Sequence, residues 1–337
     1  MTPTGDKEAI MKPWFNLKDA IVVIVQWLGA LIGYTLSLTM TSAVLPLPKA
    51  IADATPASGI VSLPAALLLA GVFNATILVW AARRSSCKGV AMWLQLLVLC
   101  FGATTFMTQI ETGYFISAFP LLHGNFVVYL LILRGFVSAV IFTLVVTALV
   151  GGFSRSSSQG PRPAPTFVVH ADHAVKMGAW LAAVYFVVYE LFGYYVAWQS
   201  QQVRLFYAGP AQLNSALNQY ALTLMARPEF PVFQYFRGIL WLLCLIPLFK
   251  GWSGKRLELV VLSFLALAYL PTIQLMFPNP LMPAGVALAH FWETSISTGI
   301  FGALCAWFVP VETPAPQPQS PSAGRRTASR RRSPRAS

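Results

Sequence analysis

Phe126-Val-Val-Tyr-Leu-Leu-Ile-Leu-Arg134-Gly-Phe-Val-Ser-Ala-Val-Ile-Phe142-Thr-Leu-Val-Val-Thr-Ala-Leu-Val150 carries a single charge in an otherwise apolar run. A hydrocarbon layer about 30 Å thick is crossed by about 20 helical residues, so this stretch reads as a transmembrane helix with a guanidinium inside it. The same reading extends outward to seven further runs, 20–40, 63–82, 89–110, 177–198, 231–249, 257–276 and 285–308. The expected fold is therefore all-α, a polytopic integral membrane protein with eight transmembrane helices. The run 231–249 is the weakest of them. It reaches spanning length only by including Arg237, whose stem is expected to snorkel to the interface.

Composition agrees with this class. AVILMFWYC residues make up 56% of the 337 and DEKR residues 10%, against roughly 25% charged in soluble domains, too few to coat a water-facing globule. A single soluble domain is excluded. A disulfide scaffold is excluded too, because Cys87, Cys100, Cys244 and Cys305 show no paired spacing. The first run competes with a cleaved signal peptide. Its length exceeds a signal core, and Gly29 and Gly33 form a small-xxx-small packing pattern inside it.

Lys and Arg fix the expected orientation, since cytoplasmic loops retain positive charge. One side carries Lys7, Lys12, Lys18, Arg83, Arg84, Lys88, Arg155, Arg162, Lys176, Lys250, Lys255 and Arg256, and the other Lys49, Arg204, Arg227 and Arg237. Both ends are expected on the cytoplasmic face of the plasma membrane. The chain then divides into a cytoplasmic N-terminal segment 1–19, a first membrane half 20–150, a cytoplasmic linker 151–176, a second half 177–311, and an Arg/Pro/Ser-rich tail 312–337 without apolar residues larger than alanine, which reads as disordered.

Some features recur between the halves. Gly33-Tyr34 matches Gly193-Tyr194, and Arg134 to Phe142 lies against Glu293 to Phe301. Four helices per half would make this a 4+4 parallel repeat; chance similarity between apolar helices is the alternative. Leu213, Leu217, Tyr220 and Leu224 recur at helical spacing in the connection 199–230, which reads as an amphipathic helix on the outer surface. The tail arginines Arg325, Arg326, Arg330, Arg331, Arg332 and Arg335 suit anionic lipid. Nucleic acid is disfavoured, because nothing aromatic is interleaved to stack bases.

Absent motifs remove function classes. The chain has no Walker A loop, Rossmann glycine pattern, G-x-S-x-G, H-E-x-x-H or C-x-x-C. What remains is a set of charges expensive in lipid, hence expected inside the bundle or in a wet cavity. Arg134, Glu190 and Glu293 fall at similar depth, Glu111 closes its helix on the same side, and His290 precedes Glu293 on one face. Gln109 and Gln274 add polar groups, the latter just after Pro271, which breaks helical hydrogen bonding.

Arg134 and Glu293 are the expected ion pair. The candidate substrate or ion site comprises Glu111, Arg134, Glu190, His290, Glu293, Gln109 and Gln274, with His290 and Glu293 the candidate metal ligands. No catalytic residue or cofactor is assigned. The leading reading is transporter-like binding of a small polar or cationic solute or of protons, secondary because no ATP motif exists. A non-catalytic assembly or lipid-interacting factor and an intramembrane enzyme with a His/Glu metal or acid-base site are the alternatives.

Overall fold

The computed structural model describes residues 17–54, 59–122, 126–154, 171–209 and 211–308. The tail arginines, Lys7, Lys12, Arg155, Arg162, His123 and His170 lie outside the described residues. Eight long helices follow the apolar runs: α1 Leu17–Val44, α2 Leu63–Arg83, α3 Gly89–Tyr114, α4 Phe126–Leu149, α5 Ala171–Phe192, α6 Phe230–Lys250, α7 Arg256–Tyr269 and α8 Ala284–Phe308. Among the described residues seven, all but α8, are long and apolar enough to cross a membrane, α7 being taken with its continuation to Met276. α8 has the length. It is less apolar because His290, Glu293, Thr294, Ser295, Ser297 and Thr298 interrupt it.

The helices are inside out relative to a water-soluble bundle. On α1 the exposed stripe is Ile21, Ile24, Val25, Leu28, Ile32 and Leu36, while Ala30, Gly33, Ser37 and Thr41 are buried. Large apolar side chains turned outward suit lipid, and small residues turned inward let helices approach closely. A Cβ at Gly33 would come within 2.7 Å of Val145 on α4, and one at Gly29 within 3.0 Å of Leu149. On α4 the buried Thr143 and Thr147 donate to Ala139 O and Thr143 O, both at 2.7 Å, so their hydroxyls need no outside partner. The whole fits a multi-pass membrane protein.

Neighbouring helices follow the order α1, α2, α7, α8, α5, α6, α3, α4 and back to α1, with lesser contacts across the ring from α2 to α3 and α4 and from α6 to α8. Exchanging α1 with α5, α2 with α6, α3 with α7 and α4 with α8 leaves that order unchanged. Several contacts recur under the same exchange. Gly71 of α2 faces Leu31 and Tyr34 of α1, and Gly238 of α6 faces Ala182 and Tyr185 of α5. Tyr34 meets Phe142 edge-on at 5.4 Å, and Tyr185 meets Phe301 edge-on at 5.1 Å.

The connections α2–α3 and α6–α7 clasp each other reciprocally. Ser86 N donates to Gly251 O at 2.6 Å and Ser253 N to Arg84 O at 2.8 Å, flanking an antiparallel bridge between Ser85 and Trp252.

Two helices are irregular at corresponding places. α3 opens into a π turn at Gly102–Phe106 after 13 residues of α-helix. α7 stops after 14 residues, because Pro271 cannot donate a backbone hydrogen bond, and resumes as the 3-10 turn Ile273–Met276. α5 likewise ends in a π turn, Gly193–Ala197. Beyond it come two short helices, Gln201–Tyr207 and Ala216–Ala226. The second contains Leu217, Tyr220 and Leu224 of the expected amphipathic helix; Leu213 precedes it.

A Cβ on Gly135 of α4 would lie 2.6 Å from Thr105 Cβ, too close to be relieved by a rotamer change. Gly135→Ala is expected to destabilise the protein by about 1–3 kcal/mol through overpacking. Gly193→Ala, with nothing within 4 Å, serves as the neutral control. Thermal melting of both variants in detergent checks this, and equal melting temperatures would contradict the α3–α4 approach.

Candidate functional site

A cavity of about 200 Å³ opens among α1, α2, α3, α4 and the break in α7. Its polar wall includes Tyr34, Thr41, Asn74, Thr104, Gln109 and Arg134. Ser42 and Gln274, both exposed, also line it, so it reaches the surface. The two helix irregularities build this wall. In the π turn Thr104 and Thr105 turn toward the cavity, and Gln274 Nε2 donates both to Thr104 O at 3.1 Å and to Pro271 O at 2.9 Å. One amide thus satisfies carbonyls at both irregularities.

The hydrogen-bond account of the cavity does not close. Arg134 Nη2 donates to Ser42 Oγ at 3.1 Å, but the buried Nη1 has no partner. Thr41 Oγ1, Asn74 Oδ1 and Gln109 Oε1 are also buried and unpartnered. Asn74 is oriented unambiguously, because its Nδ2 is engaged at 2.9 Å with Ala70 O and leaves Oδ1 as the free end. An unpaired buried polar group costs about 1–3 kcal/mol. Four around one polar cavity mark a place where water or a ligand belongs. Among the described residues Arg134 is the one charged residue in the lining.

Arg134 and Glu293 are not paired, contrary to the expectation from depth. Among the described residues Arg134 bonds Ser42, while Glu293, 4% exposed, accepts from Thr294 Oγ1 at 2.8 Å and lies 3.4 Å from His290 Nδ1. The two residues share a depth but face different neighbours, Arg134 the α1–α4 side of the bundle and Glu293 the α5–α8 side. Equal depth fixes height and not direction.

A second polar cluster occupies that other side. Arg237 is not at the interface: it is 2% exposed and forks onto Glu111, Nη1 to Oε1 at 3.0 Å and Nη2 to Oε2 at 2.8 Å. Nη1 also donates to Gln234 Oε1 at 2.9 Å, and Tyr189 donates to Glu111 Oε1 at 3.3 Å. Tyr185 lies within electrostatic range of Arg237, Glu111 and Glu293, and Tyr207 stands edge-on to the His290 ring at 5.5 Å. Burial raises the Tyr207 hydroxyl well above its ordinary range, with the Glu111 and Glu293 carboxylates adding to the effect. This bidentate geometry is what a desolvated arginine requires.

The remaining expected site residues separate. Glu190 shares no hydrogen bond with the other candidates among the described residues, and its buried Oε1 is unpartnered. Its neighbour is Tyr220 of the loop helix, whose hydroxyl is raised first by burial and then by the Glu190 charge. Among the described residues no group of three His, Cys, Asp or Glu side chains gathers, so His290 and Glu293 offer two donors without a third. Gln109 and Gln274 join Arg134 in the cavity, Glu111 joins Arg237, and His290 stays with Glu293. Sequence reading missed Arg237, Asn74 and Thr41 as members of polar sites. Only the position of Arg237, six residues after the start of the run 231–249 with no other charge before Lys250, pointed to it.

No protein-family model, curated protein or solved structure matches this chain. Its chemistry is therefore read from its own side chains.

Removing one member of the buried fork leaves a charge without a partner, at a cost of about 3–5 kcal/mol. Arg237→Met and Glu111→Met are each expected to lower stability strongly, Glu111→Met at least about 3 kcal/mol. The double replacement should recover most of the loss, as apolar substitutes for buried pairs often do. Melting of the three variants decides it. A double variant no better than the worse single one would show that the fork is not the stabilising unit.

Proposed function

We propose that this chain is an eight-span membrane protein, both ends cytoplasmic, built as a 4+4 parallel repeat, and that it acts in secondary transport by binding a small polar solute in the Arg134 cavity. The observation that carries the solute reading is the unclosed hydrogen-bond account: a guanidinium nitrogen, a threonine hydroxyl and two amide oxygens, all buried and unpartnered around one cavity. A purely structural role for Arg134 would have supplied a carboxylate, as it has for Arg237. Because the one lining charge among the described residues is positive, the cavity favours a polar or anionic solute over a cationic one.

The eighth span is supported by the length of α8 and by its burial of Glu293, Ser295, Ser297 and Thr298 against the bundle. The cytoplasmic assignment rests on the lysine and arginine asymmetry. For the repeat, the recurring neighbour order, the reciprocal loop clasp and the paired Tyr–Phe contacts speak together. They equate Tyr34 with Tyr185 and Phe142 with Phe301, which keeps Arg134 opposite Glu293 but replaces the Gly33-Tyr34 and Gly193-Tyr194 correspondence. A binding site bounded by broken helices near a two-fold relation is a recurring arrangement in secondary transporters.

Two labelling experiments in a cysteine-free background test this. Single cysteines at Ser117 and Ser215 should react with an impermeant maleimide from outside intact cells, and those at Ser156 and Ser253 only in inverted vesicles; the reverse would refute the topology. A cysteine at Ser138, in the cavity wall, should react with a small charged thiosulfonate from both faces if the cavity opens alternately. Reaction from one face alone would refute transport.

A further inference from the structure

The protein itself shows how it neutralises a guanidinium at Arg237, which is 2% exposed; Arg134 is half-buried. At Arg237 a carboxylate receives two parallel N–H bonds at 3.0 and 2.8 Å, a tyrosine hydroxyl donates to that carboxylate and a glutamine carbonyl accepts from the guanidinium, which leaves only Nε without a partner among the described residues. At Arg134 the corresponding pieces are present except one. Tyr34, Gln109 and Asn74 line the cavity with the guanidinium, and the carboxylate is missing.

We propose that the Arg134 cavity binds a small monocarboxylate that also carries a hydrogen-bond donor, the class of short 2-hydroxy acids. The proposal rests on the cavity being a solute site and names the ligand's chemistry. Charge counting sets the anion: among the described residues one guanidinium and no carboxylate line the cavity, which leaves room for one negative charge. An amino acid zwitterion would leave the site with net positive charge and an ammonium without a counter-ion. The free Asn74 Oδ1, held as an acceptor by the Nδ2 bond to Ala70, asks for a donor on the ligand. Size fits as well. A cavity of about 200 Å³ has room for an acid of a few carbons.

The test is equilibrium binding of isotopically labelled glycolate, lactate and 2-hydroxybutyrate to the purified full chain in nanodiscs, with propionate and ethylamine as competitors. At least one hydroxy acid should bind, propionate should compete about tenfold more weakly for want of a donor to Asn74, and ethylamine should not compete. Arg134→Gln should reduce binding about a hundredfold or more, and Asn74→Leu should erase the preference over propionate while leaving carboxylate binding. Circular dichroism and melting confirm that each variant is folded; if Arg134→Gln does not fold, Arg134→Lys, weakened but still binding, replaces it. Binding by none of the three acids, binding unchanged without Arg134, or competition by ethylamine would overturn the proposal. Cavity labelling from both faces without acid binding would sink the ligand class and spare the transport reading. Acid binding with one-sided labelling would do the reverse.

Discussion

The bundle depends on a rule set by its surroundings: with lipid outside and no bulk water within, every polar group turned inward must find its partner in the chain. The Arg237–Glu111 fork is the strongest expression of that rule. Glu111 ends α3 of the first four helices and Arg237 lies in α6 of the second four, so the fork fastens the two halves along the seam where α3 meets α6. The clasp of Arg84–Ser86 with Gly251–Ser253 fastens them again at the opposite ends of α2 and α6. The other seam, α2 against α7, combines Phe73 stacked on Tyr269 at 4.3 Å with an ion pair at 2.7 Å between Arg84, just past α2, and Glu258 of α7.

Much of this architecture was legible in the amino-acid sequence, because hydrocarbon thickness dictates the length of a crossing helix. All eight apolar runs became helices with ends shifted by a few residues, except α5, which begins at Ala171, and Pro271 marked the break in α7. The π turn in α3 left no comparable mark, since Gly102-Ala-Thr-Thr-Phe106 contains no residue that forbids an ordinary α-helix. Side-chain direction was the other blind spot. Depth along a helix is arithmetic, but which neighbour a residue faces depends on packing, and so Arg134 and Glu293 were matched by height while Arg237, credited with reaching the interface, turned inward to Glu111.

The two polar regions differ in how their guanidinium is partnered: Arg237 meets a carboxylate and Arg134 a serine hydroxyl. Around Tyr185 the space is taken by Arg237, Glu111 and Tyr189, whose charges are paired with each other although Arg237 Nε and Gln234 Nε2 stay without partners. Around Tyr34 the small lining residues Gly135, Ser138 and Ala139 leave room instead, and the guanidinium there is left short of partners.

The glutamine that joins Thr104 O to Pro271 O has a mechanical consequence. A continuous helix bends as one rod, whereas a helix interrupted at mid-length moves as two rods about the interruption. Both α3 and α7 are interrupted, and Gln274 ties the two interruptions together through a single side chain. Their pivots are thereby linked in position, so that tilting one half-rod reorients the wall contributed by the other.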